Sequence, residues 1–159
     1  DSTRIVTAYD SQSAQSSAPT LQVWDVSSSK TLFTFGALDM LQVAWSPDNK
    51  TIASVSINGL ISLYNASNGK IVKSIAVQEN GLGIVALPAV QLLWSPDSTY
   101  LALDNGEAEI QVWNVKNDHT LSESANISTP RAMRWLPNSQ QISLIDASGT
   151  PNTIDVSGL

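Results

Sequence analysis

Trp45-Ser46-Pro47-Asp48 and Trp94-Ser95-Pro96-Asp97 are the same four residues in the same order, and Trp135-Leu136-Pro137-Asn138 is a weakened third copy. A second motif travels with them. It reads Leu21-Gln22-Val23-Trp24-Asp25, then Ile61-Ser62-Leu63-Tyr64-Asn65, then Ile110-Gln111-Val112-Trp113-Asn114, and fades to Ile154-Asp155-Val156. The interval from the first motif to the second is constant: Trp45 to Tyr64, Trp94 to Trp113 and Trp135 to Ile154 each span 19 positions. The return interval varies, being 21, 30 and 22 positions. One repeat is therefore about 40 residues, with an insertion of about eight or nine between Tyr64 and Trp94.

Within each repeat the pattern is that of strands. Thr51 to Ser56 is rich in β-branched residues and alternates; Tyr100 to Leu103 and Gln141 to Ile145 occupy the same place in their repeats. Turn chemistry separates the runs: the Ser-Pro-Asp segments, Asn58-Gly59, Asn68-Gly69, Asn105-Gly106 and Ser148-Gly149. No stretch sustains a 3.6-residue apolar period, so no long helix is expected. A period of about 40 with four short strands per unit predicts a β-propeller.

With these motifs in place the chain resembles the WD-repeat β-propeller family over nearly its whole length. The resemblance implies that Trp-Ser-Pro-Asp ends the innermost strand of a blade and Trp-Asp its third strand. The Gly-His dipeptide usual before the innermost strand is missing from every repeat, so the polar network it anchors is not expected and blade packing should rest more on apolar contact. A second resemblance, to propellers of peptidase-like and translocation-associated proteins, shares the Ser-Pro-Asp turn but usually lacks Trp-Asp.

The expected fold is all-β, with four-stranded antiparallel blades forming a propeller arc that is incomplete in one chain. The expected segments are a partial blade 1–36, blades 37–80 and 81–125, and a partial blade 126–159. Strands are expected at Arg4 to Tyr9, Leu21 to Asp25 and Thr31 to Phe35 in the first unit. Inner strands follow at Leu41 to Trp45, Val90 to Trp94 and Arg131 to Trp135, and the last unit adds Gln141 to Asp146 and Thr153 to Val156. The total is about fourteen strands, with the first blade lacking its inner strand and the last its outer one. Such an arc exposes a blade face at each end. Two explanations stand side by side: missing blades of a longer chain, or a second copy closing a two-chain ring of about seven blades.

Composition bounds the function. Among 159 residues, 42% are apolar and 14% charged, which does not describe a disordered acidic tail. No apolar run approaches the ~20 residues of a membrane helix. The chain does not begin with Met and no secretory signal opens it, so it reads as a processed product or an excised piece. Eight basic residues, unclustered, against 14 acidic ones give a net charge of −6, so neither nucleic acid nor a membrane is expected as a partner. With no cysteine and a single histidine, His119, disulfides, thiolate metal sites and most zinc or triad chemistry are excluded. The compartment stays open.

Trp24, Trp45, Tyr64, Trp94, Trp113 and Trp135 are read as blade core, since large rings with one polar handle suit inter-blade packing better than exposed stacking. Asp25, Asn65, Asp48 and Asp97 are read as turn caps. His119 lies in a polar loop, and Asp10 to Pro19 is a Ser/Gln-rich connection with no site. The insertion, Val77 to Ala89, is polar at its start but carries Leu82, Ile84, Val85 and Leu87. In the resembled family such connections lie on the narrower face, where partners often bind. Either these apolar residues fold back over the channel mouth or they meet another chain; on the second reading Leu82, Ile84, Val85 and Leu87, with Asp39, Met40 and Arg131 on the same face, are the candidate partner-binding residues.

No cofactor, metal or catalytic residue is expected. The functional expectation is a non-enzymatic scaffold that binds a protein or peptide. The alternatives are a self-assembling half-propeller whose partner is a second copy, a homodimer, or a sensor or small-ligand-binding propeller of a larger, possibly enzyme-linked, protein.

Overall fold

The structure, a computed structural model, describes residues 3–9, 20–36, 40–77, 91–104, 109–117, 120–124, 132–146 and 148–159. Every regular element among them is a strand, so none is a helix long and apolar enough to cross a membrane. The fold is all-β, four antiparallel meander sheets of three or four strands, the blades of an incomplete β-propeller. The chain divides into two compact units, Asp1–Trp45 with Asn49–Gly83, and Ser46–Asp48 with Ile84–Leu159.

The first unit contains two sheets. One is β1 (Arg4–Tyr9), β2 (Thr20–Asp25) and β3 (Lys30–Gly36), paired in that order. The other is β4 (Met40–Trp45), β5 (Thr51–Ser56), β6 (Leu60–Asn65) and β7 (Ile71–Ala76), also in chain order. Alternation selects what each sheet buries. Val6, Val23 and Phe33 lie across from one another, and Leu21 lies across from Phe35. These residues meet Ile52, Tyr64, Val43 and Trp45 of the second sheet in one cluster, in which Leu21, Val23 and Ile52 are fully buried. The cluster is aromatic. Phe35 sits 4.7 Å from Tyr64 and 5.8 Å from Phe33, ring centre to ring centre, distances at which tilted and offset pairs attract. Gly69 (φ +68°) closes the β6–β7 turn beneath Phe35, where a Cβ would stand 2.7 Å from the ring.

The second unit repeats the plan with aliphatic residues. Its sheets are β8 (Gln91–Trp94), β9 (Tyr100–Asp104), β10 (Glu109–Asn114) and β11 (Thr120–Ser124), then β12 (Ala132–Trp135), β13 (Gln141–Ile145) and β14 (Pro151–Asp155). Ala102, Ile110 and Val112 of the third sheet pack on Met133, Ile142, Leu144 and Ile154 of the fourth. Tyr100 and Trp135 stack at 5.9 Å beside them.

The strand pattern expected from the repeats is present, with ends shifted by a residue or two: β4 starts at Met40, β8 at Gln91, β12 at Ala132 and β14 at Pro151. Of the expected turn glycines, Gly59 (φ 70°), Gly69 (φ 68°) and Gly149 (φ 85°) adopt the left-handed conformation that glycine favours, while Asn105-Gly106 lies outside the described residues.

Candidate interaction site

Each third strand ends on a carboxylate or amide that caps its own turn. The Asp25 carboxylate accepts from Ser27 Oγ, Ser28 N–H and Ser28 Oγ at 2.7 Å each. Asn65 accepts from Ser67 N–H and Oγ, Asn114 from Lys116 N–H, and Asp155 from Ser157 N–H and Oγ. These bonds favour the charged form. The Ser27 and Ser28 hydroxyls, with the Ser28 N–H, bring the Asp25 carboxyl from 3.8 down to about 2. The Asp155 carboxyl is likewise held below its ordinary range, first by the Ser157 hydroxyl. The sequence reading of these positions as caps describes their geometry.

The Trp-Ser-Pro-Asp turns carry a second device. Ser46 Oγ donates to Asp48 and Ser95 Oγ to Asp97, 2.6 Å in each case. Within the second unit the Asp48 N–H reaches Ser98 Oγ (3.0 Å), and the Asp97 N–H reaches Ser139 Oγ (3.1 Å). Both serines are buried and left-handed, with φ of 60° and 58°. Partial burial pulls the Asp97 carboxyl upward, but the Ser95, Thr99 and Ser139 bonds outweigh it and hold the group below its usual range. Polar contact therefore supplements the apolar packing expected from the missing Gly-His. The sequence signal was available, because each serine stands one residue after the Pro-Asp or Pro-Asn pair.

The six rings read as core separate into classes. Tyr64, Trp94 and Trp113 are buried, while Trp24, Trp45 and Trp135 are half-buried. Trp135 Nε1–H donates to the Leu93 carbonyl at 3.2 Å, and Trp24 Nε1–H to Thr7 Oγ1 at 3.0 Å. The Trp45 Nε1 atom is buried and has no hydrogen-bond partner among the described residues, and the Arg4 guanidinium lies 5.7 Å from its ring centre.

Two sheet faces point away from their unit's core. On the first sheet, Ile5, Thr7, Trp24, Asp25, Val26 and Ser29 line a shallow hollow of about 340 Å³. On the fourth, Arg134, Ser143 and Thr153 lie side by side across the three strands, and Ala132, Ile145 and Pro151 form the next row. The matching row of the third sheet is Leu93, Ala102 and Val112.

Of the candidate partner-binding residues, Met40 is half-buried and packs against the cluster of the first unit. Asp39, Leu82, Ile84, Val85, Leu87 and Arg131 lie outside the described residues, as do His119 and Asp10 to Pro19. Among the described residues, no group of three acidic, His or Cys side chains is placed to hold a metal ion.

Comparison with known proteins bears on the same repeats. Residues 20–90 match the family described as the anaphase-promoting complex subunit 4 WD40 domain. Protein tipD of Dictyostelium discoideum is 38% identical over 72 residues, a stretch covering 41% of this chain but only 12% of that protein's length.

Proposed function

We propose that this WD-repeat chain is a non-catalytic protein-interaction scaffold, its sheets a stiff frame and its inter-repeat loops the recognition elements. The observation that supports it most is the match of residues 20–90 to a family named for a subunit of a multiprotein complex. The geometry is in keeping with that role. The turn carboxylates and amides described above are engaged in capping their own turns, and a rigid frame lowers the ordering cost of binding. The repeat limits 1–36, 37–80, 81–125 and 126–159 place the insertion with Leu82, Ile84, Val85 and Leu87 at a junction between repeats. With Asp39, Met40 and Arg131 it forms the proposed partner surface, and its apolar residues would meet a protein or peptide rather than a small polar ligand.

The test is a paired capture experiment. Tagged chain and its Leu82→Asp, Leu87→Asp variant are compared for the proteins they retain and for their melting curves. The scaffold reading expects partner loss with an unchanged melt. Equal retention by both forms would remove the insertion from the binding surface.

A further inference from the structure

The outer edge of the second sheet is made differently from its middle. β7 is the last strand there, paired with β6 and, among the described strands, with no other. Ile61 to Tyr64 of β6 are buried, yet Ile71 and Val72 of β7 are each 60% exposed. The register accounts for Val72. Leu63 lies across from Lys73 and Tyr64 from Ile71, so Val72 is the extra residue of a bulge and faces no residue of β6. A bulge re-aims its side chain, here an apolar one into water. An edge with unpaired main-chain groups and exposed apolar side chains is a template for a further strand.

Charge decides which strand such an edge admits. The chain carries a net −6, but between Asp48 and Glu79 it holds Lys50, Lys70 and Lys73 and no acidic residue. Main-chain bonds bring two of these lysines to the start of β7. The Lys50 carbonyl accepts from the Ala66 N–H (2.9 Å), and the Lys70 carbonyl from the Asn65 N–H (2.8 Å). Lys73 belongs to β7 itself. The corresponding strand of the third sheet, β11, has Glu123 and no lysine in its sequence. Lysines on an edge repel an identical edge, so they guard against a second copy. They do not guard against a segment of opposite charge.

We propose that the β7 edge is a docking site for an extended segment of another protein in which apolar and acidic side chains alternate. The segment adds to β7 beyond the bulge, over Lys73 to Ala76. One of its apolar side chains covers Ile71 and Val72, and its carboxylates meet Lys70 and Lys73. Main-chain pairing supplies the affinity, and the lysines supply the choice of partner. The inference goes beyond the scaffold reading and does not use the insertion residues, so neither falls with the other.

The probe is an end-blocked peptide, Glu-Val-Glu-Val-Glu-Val-Glu, set against Lys-Val-Lys-Val-Lys-Val-Lys, each added to the 159-residue chain. Fluorescence anisotropy of the labelled peptides reads binding, and hydrogen exchange of the backbone amides locates it. Docking predicts saturable binding of the acidic peptide alone, weakened by salt, with the outward amides of β7 slowed about tenfold or more at saturation. Lys70→Glu with Lys73→Glu should weaken binding about tenfold or more. Val72→Ser, at an exposed bulge residue, should weaken it without moving the melting curve. Should the double lysine variant not fold, Lys70→Glu alone decides. No binding of the acidic peptide, equal binding of both peptides, or slowed exchange at β3 or β11 rather than β7 overturns the proposal. So does a dimer of the free chain in which the β7 amides are already protected.

Discussion

The first and fourth sheets each turn one face away from the core of their unit, and the two faces are made oppositely. On the first sheet, Ile5 and Val26 are 52% and 47% exposed, with Trp24 half-buried between them. Their counterparts on the second sheet, Ile52, Ala66 and Tyr64, are at most 3% exposed, and those on the fourth, Ile142, Val156 and Ile154, at most 4%. On the fourth sheet the outward face has been rewritten: where the third presents Leu93, Ala102 and Val112 to its neighbour, the fourth presents Arg134, Ser143 and Thr153 to solvent. A repeat position is thus apolar where a sheet covers it and polar where none does, and the first sheet keeps the covered chemistry without the cover.

The largest expected effect breaks or upholds that contrast directly. Ile142→Ala should cost about 2–4 kcal/mol, because a fully buried side chain leaves a cavity between the sheets. Ile5→Ala, at the matching position, should stay within about 0.5 kcal/mol. Urea unfolding of both measures it, and equal losses would mean that the positions are not differently packed.

The next effect sharpens the difference between the aromatic and aliphatic cores. Gly69→Ala places a Cβ against Phe35 in a left-handed backbone and should destabilise by about 1–3 kcal/mol. Gly149 is equally left-handed, but a Cβ there meets nothing within 4 Å, so Gly149→Ala should cost only about 1 kcal/mol. Thermal midpoints of the two variants rank them.

Ser139→Ala removes the acceptor for the Asp97 N–H and should cost about 1 kcal/mol. Ser139→Gly loses the same bond but relieves the left-handed serine, so it should lie closer to the parent. A reversed order would show that the left-handed backbone at position 139 is not what separates the two variants.

The smallest effect concerns the caps. Asp25 has a folded pKa of about 2 against 3.8, so its contribution is complete above pH ~4 and is lost as pH falls through about 2. Asp25→Asn should flatten that part of the acid-stability profile. A carboxyl resonance titrating near 3.8 in the parent would contradict the capping geometry.

Most of the fold was legible because two motifs at a fixed interval carry it. The strands follow from Trp45, Trp94 and Trp135 and from the 19-position step to the next motif. Strand ends were less legible: Met40 and Pro151 join strands through main-chain pairing, which side-chain alternation does not report. The turn caps were legible from residue type. The contacts of Ser98 and Ser139 have a positional signal, one residue after the Pro-Asp or Pro-Asn pair, but residue type does not reveal the N–H that each accepts. The unpartnered Trp45 indole was equally hidden, since Trp45 and Trp135 hold the same repeat position. Of the candidate partner surface, Met40 alone falls in the described structure, where it serves the core.

The most direct test of the account uses the chain's lack of cysteine. Single variants Ile5→Cys, Ile52→Cys and Ile142→Cys, each in the 159-residue chain, are labelled with a thiol reagent under native conditions. The account predicts fast labelling at position 5, near the rate of an unfolded control, and strong protection at positions 52 and 142. Equal labelling at the three positions would contradict sheet-on-sheet packing by one repeated face.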